Sequence, residues 1–424
     1  MSPLQILTPR GSAFIILGLL TSLAGTILGY PDLTRIGILL AVLPLLALLT
    51  ARRRPPELAV TRAVVPHRLQ PDQPATVHTK IHNVGARRTP LYLAAEHVDV
   101  HLGDQPRFVL SPLASGEPRT VVYQVRSQAR GAYLLGPVSL RQRDPFGLTY
   151  VAVRLSTTTE VLVLPRVYDV RGPRRRATGR GNEGEQPHML ALSGEDDVSI
   201  RSYRQGDELR RVHWPATAHR GELMVRQEDR PARRRAVLIL DARQSAHGTP
   251  RSTSPSFEYA ISALASVASA LIFHGYVVHL LTPSTVRDGT ATTPITVASL
   301  LDLLARTERS NESGFEAIAA AAHSFTAGGV LAVAAVVGRD AGQLRELAAI
   351  REHGSPAMAF VLDHDAFNGG AEATRKSGPP ASEHKNPSTI LGEAGWSCAT
   401  CDPQTDIRSA WGQMLNSRSA VGAQ

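Results

Sequence analysis

The chain has 424 residues, a formal net charge of +9, two cysteines and 5% aromatic residues. That length allows two or three domains with real hydrophobic cores. Two cysteines exclude a disulfide-built fold and agree with a reducing compartment, and the arginine-led basic balance favours anionic partners, either nucleic acid or acidic lipid.

The first elements in chain order are two apolar runs, residues 13–30 (AFIILGLLTSLAGTILGY) and 33–51 (LTRIGILLAVLPLLALLTA). Each is close to the ~20 residues that cross a ~30 Å hydrocarbon core. Only Pro31 and Asp32 separate them, which predicts a tight helical hairpin spanning the membrane twice. Arg10 precedes the pair, and Arg52, Arg53 and Arg54 follow it; Arg35 is the one positive charge on the far side. By the positive-inside rule both termini lie in the cytoplasm. A cleaved signal peptide would not carry a second apolar run so close behind the first. Buried core helices would need polar faces that these segments lack. Gly25 and Gly29 offer a small-residue face for close helix approach. A chain tethered beside an anionic leaflet needs no nucleic acid to explain its basic charge.

Residues 57–170 read as all-β. Short runs such as ELAVTRAVV, ATVHTKIHN, RTVVYQVR and EVLVL are rich in valine and leucine and separated by turn formers. About seven such strands at close spacing predict a β-sandwich of two antiparallel sheets. Asp144-Pro145-Phe146-Gly147 fits a type I turn, with Phe146 expected to plug the core beside it. Residues 171–193 form a polar linker rich in Gly, Arg and Pro that cannot bury a core. From Ala236 onward, apolar strands such as AVLILDAR, YVVHLLTP, GVLAVAAVVG and AMAFVLDH alternate with helical stretches. That alternation predicts a parallel sheet covered on both faces. The expected organisation is a two-helix anchor over 1–56, a β-sandwich over 57–170, a linker and signature segment over 171–235, and an α/β domain over 236–424.

Residues 194–227 carry the most distinctive composition. Gly206-Asp207 reads as a turn and helix N-cap, with a short helix over 208–213 that Pro215 breaks. Asp207, Arg210 and His213 then fall near one face. His213 with Asp207 or Glu208 has the ingredients of a general base, yet no nucleophile elbow or phosphate-cradling glycine loop accompanies it. The structural reading is an ion pair of Asp207 with Arg210 or Arg220, and Trp214 packed at a domain junction. No residue is therefore assigned a catalytic role.

Tyr203, Gly206, Asp207, Arg210, His213, Trp214, Arg220-Gly221-Glu222-Leu223 and Val225-Arg226 together resemble the signature of the domain-of-unknown-function 58 family. The DPFGL run at 144–148, the hairpin and the domain order are also similar to that family. The resemblance implies a bacterial membrane protein whose α/β domain is von Willebrand factor A-like. It also implies genes nearby for a MoxR-type AAA+ ATPase and for transglutaminase-like membrane proteins, hence an ATPase and other membrane proteins as partners. Such domains often hold Mg²⁺ through Asp-x-Ser-x-Ser, hard oxygen ligands suited to an octahedral ion. Here the run is Asp241-Ala242-Arg243-Gln244-Ser245. Arg243 replaces the middle serine and competes with a cation, so the resemblance implies weak metal binding or none, through Asp241 and Ser245 with Asp340 as the distal carboxylate. Loops converge at the carboxyl edge of open α/β sheets, which makes Asp241, Ser245 and Asp340 the expected partner surface.

Cys398 and Cys401 form a lone CxxC without two further ligands, so they read as small core residues of a last strand. The resulting expectation is a non-enzymatic, membrane-anchored adaptor without a cofactor. Its rivals are an envelope-related hydrolase using His213, and a nucleic-acid binder using Arg174, Arg175, Arg176, Arg233, Arg234 and Arg235. The arginines lack the interleaved aromatics that single strands stack on.

Overall fold

The computed structural model describes residues 7–51, 57–144, 146–171, 198–203, 212–228, 234–247, 254–310, 315–326, 329–338, 341–352, 354–367 and 386–421. The linker beyond Arg171, the Arg52–Arg54 triplet, Gly206, Asp207, Arg210 and Asp340 lie outside the described residues. The chain forms two compact units, Met1–Leu164 and Pro165–Gln424.

The first unit opens with α1 (Pro9–Leu28) and α2 (Pro31–Ala51). The buried residues of α1 are Gly11, Gly18 and Gly25. A Cβ on Gly18 would lie 2.6 Å from the Ala41 nitrogen, so the missing side chain is what lets the two backbones approach. Gly29, expected to share this face with Gly25, does not. It sits at φ +73° as the C-cap of α1, where its amide donates to the Gly25 carbonyl. Ile16, Leu20, Ile27, Ile36, Leu39 and Leu46 remain exposed along the hairpin.

The rest of this unit is β1 (Leu58–Val65), β2 (Arg68–Leu69), β3 (Ala75–Asn83), β4 (Tyr92–Val98), β5 (Arg107–Leu110), β6 (Pro118–Val125), β7 (Gly131–Arg143), β8 (Tyr150–Leu155) and β9 (Thr159–Val163). One sheet runs β1-β3-β6; the other runs β2-β9-β7-β4-β5, with β8 also on β7. Burial alternates along β3 and β4, as a pleat with one covered face requires. Val77 and Ile81 of β3 share apolar clusters with Leu135, Val138 and Leu140 of β7, so the two sheets face each other. Between them Arg62 pairs with Glu96, both side chains fully buried, and Thr79 Oγ1 donates to the other Glu96 oxygen at 2.9 Å.

The turn at Asp144 forms as expected, with the Gly147 amide donating to the Asp144 carbonyl at 3.0 Å. Its core residue is different. Phe146 is 66% exposed, whereas Leu148 is 2% exposed. The Asp144 carboxylate accepts from the Phe146 amide at 2.8 Å and from Thr149, which turns the Phe146 backbone inward and its ring out.

The second unit begins at Pro165, before the boundary expected at 170, because the following residues dock on the α/β core. The Tyr168 amide donates to Ser266 Oγ at 2.9 Å, and Val170 is buried in the same core cluster. Its elements are β10 (Val198–Ser202), α3 (Trp214–Arg220), β11 (Met224–Glu228), β12 (Arg235–Leu240), α4 (Gln244–His247), α5 (Pro255–Phe273), β13 (Val277–Leu281), α6 (Pro283–Arg287), α7 (Val297–Arg306), α8 (Phe315–Thr326), β14 (Leu331–Val337), α9 (Ala341–Ala349), β15 (Ala357–Leu362), α10 (His364–Phe367), α11 (Pro387–Glu393), β16 (Ser397–Cys401) and α12 (Ile407–Val421).

Five of these strands form one sheet in the order β13-β12-β14-β15-β16, and every pairing is parallel. β14 and β15 are buried at each position, because the apolar cores on the two faces of the sheet are separate. The helix α5 supplies much of one core. Among the described residues, α1 and α5 are long and apolar enough to cross a membrane, but α5 is two-thirds buried inside this unit. Length and composition therefore do not separate a span from a core helix; packing does.

Candidate contact site at the sheet switch point

The chain enters the parallel sheet at β12, moves to β13, and then returns to the other side of β12 at β14. The carboxyl ends of β12 and β14 thus flank the point where strand order reverses, which is where open α/β sheets place ligands. Asp241 follows β12 at this point and is fully buried. Its amide donates to the Ala335 carbonyl at 3.1 Å.

Arg243 closes on that carboxylate like a fork. Its Nε donates to Oδ1 and its Nη2 to Oδ2, both at 2.7 Å. The Arg243 amide adds a bond to Oδ1 at 3.2 Å, and the Val337 amide one to Oδ2 at 3.4 Å. Such bidentate, charge-assisted pairing is the strong form of the interaction, and it compensates the cost of burying both charges. The Arg243 side chain is 11% exposed. A divalent cation at Asp241 would have to displace this guanidinium from both oxygens, so the residues present here do not fit one. Ser245, two residues on in α4, is exposed.

A second layer holds the Asp241 loop in place. His247 Nε2 meets the Asp241 carbonyl at 2.9 Å, and its Nδ1 meets Ser256 Oγ at 2.8 Å. A carbonyl only accepts, so the proton sits on Nε2 and the Ser256 hydroxyl donates to Nδ1. Burial pushes the His247 pKa down to about 4, against the opposing pull of Asp241, and the ring is neutral. Arg309 Nη1 donates to the His247 carbonyl at 3.2 Å, and the Ser310 amide to the Ala242 carbonyl at 2.7 Å. His364 Nδ1 lies 3.0 Å from the Ala246 carbonyl. None of these residues was visible as a candidate in the sequence. They come from three separate stretches of chain, 247–256, 309–310 and 364, and share no motif.

Two other carboxylates stand at the same sheet edge. Asp363 follows β15 and accepts from the amides of Asp365 and Ala366 at 3.0 and 3.1 Å. Asp402 follows β16 and accepts from Gln404 N at 2.9 Å and Thr405 Oγ1 at 2.7 Å. Both serve as local caps. Among the described residues no three His, Cys, Asp or Glu side chains gather where they could hold a metal.

The signature segment folds differently from the sequence reading. β10 and β11 pair as an antiparallel ribbon, and the Tyr203 amide extends it by donating to the Leu223 carbonyl at 2.7 Å. The helix is Trp214–Arg220, and Pro215 lies in its first turn. Proline has no N–H to donate, and the first turn of a helix has no partner for one, so Pro215 opens this helix; of the helix expected over 208–213, residues 208–211 lie outside the described residues. His213 is the N-cap: its Nδ1 accepts from the Ala216 amide at 3.2 Å, a structural task that uses the lone pair a general base would need. Trp214 is 68% exposed, a surface residue of its unit. Arg220 lies exposed in the last turn, before the left-handed cap Gly221.

Cys398 and Cys401 lie on β16 as free thiols. Burial pushes them up to about 12 and about 11. The thiolate is the form that attacks or ligates, so both behave as core residues.

A parallel α/β unit, a unit of two facing sheets and an apolar helical hairpin define the class of this protein. Residues 199–295 match the family model described as a protein of unknown function, DUF58, and this segment is DUF58 family sequence. The curated proteins contain no match. Among solved structures, the chain is similar to the CARDB domain of a Pyrococcus furiosus protein in complex with di-metal ions. The identity is 16%, over 26% of this chain and 89% of that one, with a TM-score of 0.20. It is also similar to a Pseudomonas fluorescens alkylpurine DNA glycosylase bound to DNA, with 13% identity over 31% of this chain and 39% of that one and a TM-score of 0.19. A β-glucosidase from Listeria innocua matches with 16% identity over 26% of this chain and 16% of that one, TM-score 0.16.

Proposed function

We propose that this protein is a membrane-anchored adaptor of the bacterial inner membrane. Its α1–α2 hairpin spans the bilayer with both termini cytoplasmic. The facing sheets act as a β-sandwich spacer, and the α/β unit acts as a von Willebrand factor A-like interaction domain. The partner is a MoxR-type AAA+ ATPase, together with other membrane proteins of one envelope-related complex. ATP hydrolysis belongs to that partner; this chain contributes no catalysis, binds no nucleic acid and needs no metal.

The observation that carries this reading is the Asp241–Arg243 fork at the switch point. It puts a rigid, internally neutralised edge where an enzyme of this architecture would keep reactive groups. Exposed Ser245 beside it offers a contact position whose replacement leaves the core untouched.

The test is affinity purification of the tagged full-length protein from mildly solubilised membranes, with mass spectrometry of what accompanies it. Ser245→Arg serves as the surface variant. Recovery of an AAA+ ATPase with the wild type and its loss with Ser245→Arg supports the adaptor and the edge. Recovery with both forms moves the contact away from Ser245. Absence of any ATPase after crosslinking sinks the adaptor reading.

A further inference from the structure

The first unit contains a cavity of about 900 Å³ whose wall is formed on one side by Thr8, Pro9 and Arg10, at the start of α1. The opposite wall is the outer face of the larger sheet. Register determines which residues point there. Arg107 of β5 lies opposite Ala95 of β4, and Arg141 of β7 lies opposite Leu93. Leu93 and Ala95 are two residues apart, so all four share one face. The alternate residues Ala94, Leu110 and Leu140 point into the core. Arg10, Arg107 and Arg141 therefore converge on one cavity.

Three properties of this cavity belong together. None of its lining residues is acidic. Among the described residues, Arg10, Arg107 and Arg141 form no ion pair with a carboxylate. The same sheet face carries exposed Leu93 and Val109, and exposed Phe146 stands on the turn that holds Thr8. Clustered guanidiniums without partners suit phosphate oxygens. Adjacent exposed apolar side chains suit the end of a molecule that is not water-soluble.

We propose that this cavity binds the headgroup of an anionic phospholipid. Arg10, Arg107 and Arg141 surround the phosphate, while Leu93 and Val109 meet the glycerol and the first acyl carbons. The inference rests on the reading of α1 as a membrane span, which places Arg10 at headgroup depth on the cytoplasmic side. Basic pockets at that depth are where anionic headgroups collect. The apolar rim is the reason to assign a lipid and not a free phosphate ester. Binding there would orient the β unit against the membrane through the rigid start of α1.

The experiment titrates detergent-solubilised full-length protein with phosphatidylglycerol and counts bound lipid by native mass spectrometry. Phosphatidylcholine and soluble glycerol phosphate are the comparators. The expected result is saturable phosphatidylglycerol binding that Arg107→Gln/Arg141→Gln weakens about tenfold or more and Arg119→Gln, outside the cavity, leaves alone. Both replaced arginines are exposed, and an unchanged thermal midpoint confirms that the double variant folds. Equal binding by wild type and double variant, or equal affinity for phosphatidylcholine, overturns the proposal. Glycerol phosphate binding as tightly as the lipid overturns the lipid assignment in favour of a soluble phosphate site. Alkaline carbonate extraction of the same membranes tests the anchor separately. Release of the wild type into the supernatant overturns the membrane reading itself, and with it the lipid assignment.

Discussion

Thr8 donates its hydroxyl to the carbonyl oxygen of Gly147, 139 residues further along the chain, at 2.7 Å. Its amide donates to the Leu148 carbonyl at 3.0 Å, and its Oγ1 accepts from the Gly11 amide at 3.1 Å as the N-cap of α1. One side chain thus starts the apolar hairpin and fastens it to the turn of the DPFGL run. Gly11 makes the approach possible, because a Cβ there would overlap the Leu148 carbonyl.

Thr8→Val keeps the volume and removes both hydroxyl bonds. A lost cap costs about 1 kcal/mol, and a lost hydrogen bond to a carbonyl about as much again. The full chain in detergent is expected to melt several degrees lower, while Thr8→Ser stays near the wild type. Equal melting of Thr8→Val and wild type would show that water replaces both bonds.

The Asp241–Arg243 fork predicts an asymmetric response to mutation. Arg243→Ala leaves a buried carboxylate without its partner, a change of about 3–5 kcal/mol. Asp241→Ala/Arg243→Ala, which removes both charges, is expected to cost less than that single variant. Arg243→Ser also places a hydroxyl two residues after Asp241, which creates an Asp-x-Ser-x-Ser run with Ser245. Millimolar Mg²⁺ should then raise the thermal midpoint of Arg243→Ser and leave the wild type unchanged, since a ligand stabilises only the state it binds. A Mg²⁺ shift of the wild type would show that the cation displaces the guanidinium.

His247 predicts a pH dependence with a definite sign. Burial lowers its pKa to about 4 in the folded chain, against about 6.5 when unfolded. Between those values the unfolded state binds the extra proton. Stability from the neutral ring is therefore complete above about pH 6.5 and is lost as pH falls towards about 4, by roughly 3 kcal/mol in total. His247→Gln is expected to flatten the thermal midpoint against pH across this window. Parallel profiles for variant and wild type would mean that other groups carry the acid sensitivity.

Much of the architecture was legible because its signals are local. The hairpin shows in apolar run length and a two-residue gap. The parallel sheet shows in continuous apolar strands alternating with helices, and residues 396–400 read as the last strand, which spans Ser397–Cys401. Errors arose where a local rule had two outcomes. Pro215 both ends and begins helices, and only the cap made by His213 selects between them. In the 144–148 turn either Phe146 or Leu148 was apolar enough for the core, and the Asp144 carboxylate decided by holding the Phe146 amide. Gly25 and Gly29 have the spacing of a packing face, yet Gly29 is used by the turn.

By itself the sequence determined the apolar hairpin, the alternating strands and helices of the parallel sheet, and that Arg243 stands two residues after Asp241. Periodicity, apolar length and charge position are written along the chain and need no distant partner. Only the tertiary structure decided what Arg243 does, which residues brace it, and that Arg10, Arg107 and Arg141 share a cavity. Those outcomes depend on strand order and register. They bring side chains together from loops and strands far apart in the chain, and no local pattern records such pairings.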